Sequence, residues 1–269
     1  MPGFFFDRLS KAYLPQPYSD MSQSLFLIGQ LITLLLTAGL LGSLYTALRI
    51  GMSRLKQPPA QRKKAGRLVI LSLSIWLLIS IGMASSARYG TAEPVLTMLS
   101  LFLLPSVFFL LLLGFRFFRQ VLLITPPQWI VKAQGIRIVL SLLLWMGYAG
   151  RYVPPQLTFL WFNYDIVVGI SALMGSYVFF ARGQFRRPET LLWNTFGLFS
   201  LLYLVAIALV SLPQSPYQLF ATTPDGAFLT HPLFVPLMSF IFPFCMAMHV
   251  YSIWQALRRP SRRTFRLNK

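Results

Sequence analysis

Acidic residues are scarce in this 269-residue chain: six Asp and Glu stand against 24 Lys and Arg, for a formal net charge of +18. Cysteine is rarer still. Cys245 stands alone, which excludes an intramolecular disulfide, a CxxC metal site and a cysteine-ligated cluster, and reads as a small apolar filler in a helix. Of the two histidines only His249 lies in an apolar run, so haem held between paired in-span histidines is excluded. The last apolar run contains no lysine, which removes the attachment point for a retinal Schiff base. No HExxH, GxSxG or P-loop pattern occurs, and His231 with Asp225 is too sparse for a metal site. No cofactor is expected.

What is abundant is apolar surface. Hydrophobic residues make up 56% of the chain and charged residues 11%, against about 45 to 50% and 25% in soluble proteins. The chain therefore reads as an all-α, multi-pass integral membrane protein whose immediate partner is the lipid bilayer. In a soluble chain the positive charge would suggest nucleic acid. Here the basic residues fall between apolar runs, where they set orientation, and no nucleic-acid module accompanies them, so that partner is not expected.

Apolar runs span 23–48, 68–87, 94–115, 129–150, 157–180, 190–211 and 232–257, each near the roughly 20 residues that a bilayer requires. The expected organisation is an N-terminal surface segment (1–22) with no cleavable signal pattern, a seven-helix transmembrane domain (23–257) and a basic tail (258–269). In the fourth run Lys132 and Arg137 are expected to snorkel toward one interface. Pro105, Pro236 and Pro243 interrupt the third and seventh runs and free the carbonyls of Leu101, Pro232 and Ser239, so kinks are expected there.

Twenty of the basic residues cluster on one side. They are Arg49, Arg54, Lys56, Arg62, Lys63, Lys64 and Arg67; Arg116, Arg119, Lys132 and Arg137; Arg182, Arg186 and Arg187; and Arg258, Arg259, Arg262, Arg263, Arg266 and Lys269. Only Arg8, Lys11, Arg88 and Arg151 fall on the other. The positive-inside rule then puts the N-terminus outside and the tail in the cytoplasm, with a basic face suited to anionic lipid or a protein partner.

Asp165 is the only acidic residue within an apolar run, and an ionisable group in hydrocarbon costs roughly 2.5 to 3.5 kcal/mol. On a continuous helix its neighbours are Trp161, Gly169, Ala172 and Ser176, a face of mostly small residues suited to packing against other helices. Counted inward at 1.5 Å per residue, Asp165 lies roughly 12 Å from the outer surface, beside Gln30, Ser100, Tyr203 and Ser239 at about 9 to 12 Å. These five are expected to line a polar cavity with Arg88 and Arg151 near its mouth. The alternative is that Asp165 pairs with an arginine or a hydroxyl and holds helices together. Asn194 and His249 fall roughly 26 Å deep and form a second polar pair, suited to interhelical hydrogen bonding or proton relay, with Gly197 favouring close approach. The two layers, about 14 Å apart, are expected to connect only through water.

The order YDIVVG (164–169), WNTFGL (193–198), a loop ending THP (230–232) and VPLMSFIFPFCMAMH (235–249) resembles a group of uncharacterised bacterial multi-pass membrane proteins over roughly the last 110 residues. In that pattern a glycine precedes the aspartate and a second aspartate follows WNxxGL. Here those positions are Tyr164 and Ser200, which counts against any mechanism that needs two carboxylates. The resemblance implies a bacterial inner-membrane location and a shared polar set at Asp165, Asn194 and His249, and it supplies no activity.

Three functions follow in order: transport or sensing of a small solute or ion through the polar cavity; a non-catalytic membrane subunit or assembly protein; and a membrane enzyme, for which one carboxylate and one histidine at different depths form no catalytic pair. Reporters fused to the two termini are expected to sit on opposite sides of the membrane, with only the C-terminal fusion active in the cytoplasm. Cytoplasmic activity at both ends would show that a span is miscounted, the fourth being the weakest.

Overall fold

A computed structural model describes residues 20–55, 58–86, 94–180, 185–213 and 215–258. The surface segment expected before residue 20, the basic tail after Arg258, and Arg88 lie outside the described residues. Those described form helices and connections with no strand: α1 (Asp20–Arg54), α2 (Pro59–Ala84), α3 (Pro94–Leu112), α4 (Arg116–Ile124), α5 (Pro127–Ala133), α6 (Ile136–Ala149), α7 (Asp165–Val178), α8 (Arg187–Leu209) and α9 (Phe242–Arg258). A π-helical turn, Leu237–Ile241, leads into α9, and short 3-10 turns occur at Pro155–Leu157 and Gly226–Thr230.

Six stretches among the described residues are long and apolar enough to cross a bilayer: Met21–Arg54, Lys63–Ala84, Pro94–Leu112, Pro127–Ala149, Arg187–Leu209 and Leu237–Arg258. Their outer faces carry large exposed apolar side chains, such as Leu31 and Leu35 on α1, Leu71 and Leu78 on α2, and Leu192 and Phe199 on α8. In water such faces would be adhesive; in lipid they are the expected surface. The protein is a multi-pass helical membrane protein. The π turn with α9 is its central strut, 78% buried over its most apolar window against 28 to 50% for the other five.

The apolar run 157–180 is not one helix. Its first eight residues form a 3-10 turn and irregular backbone, and α7 begins only at Asp165. Fourteen residues at 1.5 Å each rise about 21 Å, short of the roughly 30 Å hydrocarbon core. The connection is turned inward: Tyr152, Val153, Gln156, Leu157, Thr158 and Asn163 are buried. Irregular backbone at membrane depth survives only when protein covers it and its polar groups are met. Asn163 does part of this, donating to the Leu157 carbonyl (2.9 Å) and accepting from the Asp165 backbone N–H (2.8 Å). Trp161 consequently sits on this connection, 55% exposed, and not on the helical face of Asp165; Gly169, Ala172 and Ser176 are buried on α7 as that face requires.

Prolines shape the central strut. Pro243 has no N–H for the Ser239 carbonyl four residues earlier, and the Trp76 indole of α2 donates there instead at 2.9 Å. Helix-end carbonyls are met in the same way. Tyr251 Oη donates to Phe109 O in the last turn of α3 (2.5 Å), and Gln255 Nε2 donates to Leu122 O and Thr125 O at the end of α4 (2.5 and 2.7 Å).

Replacing Trp76 by Phe keeps the packing and leaves the Ser239 carbonyl without that donor, a loss of about 0.5 to 1.5 kcal/mol. A lowered melting temperature in detergent is expected, and a smaller loss when Pro243→Ala restores a backbone donor. Equal losses in the two backgrounds would show that the indole N–H and the proline are not coupled.

Candidate functional site

Four helices converge on one buried polar cluster. Asp165 opens α7, where a carboxylate favours the positive end of the helix dipole. Facing it from the first turn of α6 is Arg137, which forms an ion pair with it through Nη2 and Asp165 Oδ1. Neither side chain reaches solvent: Arg137 is 0% and Asp165 1% exposed. Arg137 does not snorkel. Its stem starts at the first turn of α6, beyond the break at Gln134–Gly135, and Gly169 lets α6 and α7 approach so closely that a Cβ there would come within 2.7 Å of Ile138 N. The guanidinium is thereby aimed into the bundle.

Guanidinium offers five N–H donors, and four are used. Nη1 donates to the Gly197 carbonyl of α8 at 2.9 Å and faces His249 Nε2 of α9 at 3.0 Å. Nη2 serves Asp165 and, at 3.4 Å, Ser200 Oγ. Ser200 in turn donates to Asp165 Oδ1 at 3.3 Å. Because an arginine nitrogen can only donate, His249 Nε2 must accept, so the imidazole is neutral with its proton on Nδ1. That proton goes to Asn194 Oδ1 at 3.1 Å. The Asn194 amide donates to Thr190 O (2.7 Å) and Ser252 Oγ (2.9 Å), closing the chain. His249 lies over Gly197, where a Cβ would fall 2.3 Å from its Cε1. The buried atoms left without a partner include Arg137 Nε, Asp165 Oδ2 and Ser141 Oγ.

The expected groupings are redrawn. Asn194 and His249 do meet, but they are not a separate layer: Arg137 joins them directly to Asp165, with no water chain needed. The 14 Å offset rested on a continuous helix through 157–180, and the chain instead reaches Asp165 along an irregular, inward path. Among the described residues none of Gln30, Ser100, Tyr203, Ser239 or Arg151 hydrogen-bonds to Asp165. Gln30 is buried on α1. Ser100 turns back on Thr97 O (2.7 Å), and the half-buried Tyr203 packs its ring 6.2 Å from Tyr164. Ser239 Oγ is buried without a partner in the π turn. Arg151 is exposed just beyond α6, with a left-handed φ of 58°. Among the described residues the cation beside Asp165 is therefore Arg137 and not Arg151; Arg88 lies outside them. Arg137, Ser200, Ser252 and Thr190 complete the cluster. Electroneutrality was the available signal for Arg137: one carboxylate in hydrocarbon calls for one cation at its level.

Chemically the cluster is committed to itself. Asp165 is ion-paired, His249 accepts from arginine, and the Ser200 hydroxyl donates to the same carboxylate oxygen that arginine holds. No group of three or more His, Cys, Asp or Glu that could hold a metal occurs among the described residues. Outside the spans His231 is buried against Phe26, with ring centroids 5.1 Å apart, and burial pushes its pKa down to about 4. Comparison with protein families, curated proteins and solved structures found no match for the chain.

Glycine tests the geometry. Gly197→Ala is expected to push the His249 ring off Arg137 and cost about 1 to 3 kcal/mol, whereas Gly42→Ala, with nothing within 4 Å of the added Cβ, is expected to be neutral or slightly stabilising. Thermal unfolding of both variants in detergent makes the comparison, and equal effects would refute close packing at Gly197.

Proposed function

We propose that the chain is a non-catalytic integral membrane protein, a subunit or assembly scaffold, whose internal charges lock four helices into one arrangement. The observation that carries this reading is the Arg137–Asp165 pair, fully buried, with three further guanidinium donors directed to backbone and side chains of α8 and α9. A transported ion or proton needs a carboxylate that opens to solvent and changes partners. This one is enclosed and held.

The same reading takes the protein as a seven-pass bundle with its basic face in the cytoplasm of a bacterial inner membrane. Two contacts support the extra pass through α7. Lys132, on α5, lies over the Tyr177 ring at 5.8 Å, bringing the far end of α7 to the level where the fourth span starts. Arg187 reaches the Leu257 carbonyl at 3.4 Å, so α8 starts beside the end of α9. The basic ends of α1, α4, α5, α8 and α9 would then share one side, as the charge distribution requires.

Transport remains the rival reading, favoured by specific features: a half-helix ending inside the bundle, a π turn in the central strut, and the unpartnered Arg137 Nε, Asp165 Oδ2 and Ser141 Oγ beside the ion pair. Removing the charges together separates the two. Under the scaffold reading the double variant Arg137→Met with Asp165→Leu accumulates and unfolds at or near the wild-type temperature, while Asp165→Leu alone strands a buried cation and loses about 3 to 5 kcal/mol. Wild-type protein in liposomes loaded with a pH-sensitive dye is expected to pass no protons beyond empty vesicles. A wild-type flux that the well-folded double variant abolishes would overturn the scaffold reading in favour of transport.

A further inference from the structure

The helix α4 lies between the third and fourth spans and is amphipathic, with Phe118, Val121 and Leu122 buried and Arg116 and Gln120 exposed. It is held firmly. Gln255 donates to the carbonyls at its C-terminal end, and Val121 packs on Gly51 of α1 so closely that a Cβ there would lie 2.4 Å from the valine methyl. The grip by Gln255 brings Trp254 and Arg258, one residue before and three after it on α9, up against the arginines of α4. Together Arg116, Arg119, Gln120, Leu123, Trp254 and Arg258 line an open recess of about 290 Å³.

Three guanidinium groups face this recess and no carboxylate lines it. Among the described residues neither these arginines nor Gln120 donate a hydrogen bond to the protein, so their fork-shaped donor sets are open to a ligand. Like charges on fixed elements repel unless an anion lies between them. Guanidinium matches phosphate oxygens in pairs, and the amide of Gln120 adds a neutral donor. Leu123 is 39% exposed and Trp254 half-buried at the rim, and Leu257 beside them is 54% exposed. Apolar and aromatic groups at the end of membrane-spanning helices belong to the lipid interface.

We propose that this recess binds the phosphate of an anionic phospholipid headgroup, with the lipid's acyl chains along the apolar rim and Arg116, Arg119 and Arg258 as the phosphate ligands. The site rests on the membrane placement of the chain and is independent of the buried lock, so failure of one leaves the other standing.

Full-length protein is purified in detergent and its melting temperature followed on adding phosphatidylglycerol, phosphatidylcholine, or inorganic phosphate, with native mass spectrometry counting retained lipid. Wild type is expected to be stabilised by phosphatidylglycerol well beyond phosphatidylcholine and to retain it through delipidation. The triple variant Arg116→Gln, Arg119→Gln, Arg258→Gln is expected to lose retention about tenfold or more, while Lys63→Gln, Lys64→Gln, Arg67→Gln, which removes the same charge elsewhere on the basic face, stays within about twofold. Equal loss in the two triples would overturn the site in favour of diffuse attraction. Stabilisation by inorganic phosphate equal to that by phosphatidylglycerol would assign the recess to a soluble anion and overturn the lipid. No difference between the two lipids on wild type would overturn the proposal without recourse to any variant, whether or not the triples fold.

Discussion

A single charge cannot rest in hydrocarbon, and this constraint organises the second half of the chain. Asp165 is placed there by α7, and Arg137 by α6; each is tolerable only because the other is present. A guanidinium has more donors than one carboxylate can take, so the surplus must be spent on acceptors nearby. Gly197 supplies a carbonyl because it has no side chain to block the approach, and His249 supplies an imidazole nitrogen that is fixed as an acceptor. The pairing of two residues thus dictates the identity of others on two more helices, and Asn194 and Ser252 follow from the proton on the far side of the ring.

Backbone satisfaction imposes a second, distributed demand. In lipid an unmet carbonyl has no water to turn to. Around the central strut, side chains perform that duty: Trp76 of α2 at the Ser239 carbonyl and, outward from α9 itself, Tyr251 and Gln255 at helix ends, while Gln134, in the break between α5 and α6, adds a donor to Cys245 O (2.9 Å). Each such bond fixes the rotation and height of one helix against another. Apolar packing between lipid-soluble surfaces cannot do that alone, because lipid tails compete for the same contacts.

The membrane class and the positions of six spans were legible from hydropathy, since runs of about 20 apolar residues have few other uses. Asp165, Asn194 and His249 were legible as polar exceptions. Their connection was not. Depth counting assumes that every apolar run is helical throughout, and the stretch before Asp165 is irregular backbone, with Leu157, Thr158 and Asn163 buried and Leu160, Trp161 and Tyr164 exposed. Arg137 was obscured by its neighbour Lys132: two cations five residues apart read as a pair at an interface, yet the break after Ala133 sends them to different environments. Depth placed Tyr203, Ser239 and Gln30 at the level of Asp165 without a hydrogen bond to it among the described residues, because depth fixes height along the membrane normal and says nothing of the direction a side chain faces.

The spacing of the ion pair along the chain bears on how such a protein enters the membrane. Arg137 leaves the ribosome 28 residues before its counter-ion. A segment carrying that unpaired cation has poor affinity for lipid when presented alone, with only a short uninterrupted apolar stretch from Ile138 to Ala149 to offset it. Inserted together, the fourth segment and α7 would bring Arg137 and Asp165 into the membrane as a pair, so that neither charge enters without its counter-ion. Residues 150–164, folded back between them, are long enough to permit that meeting.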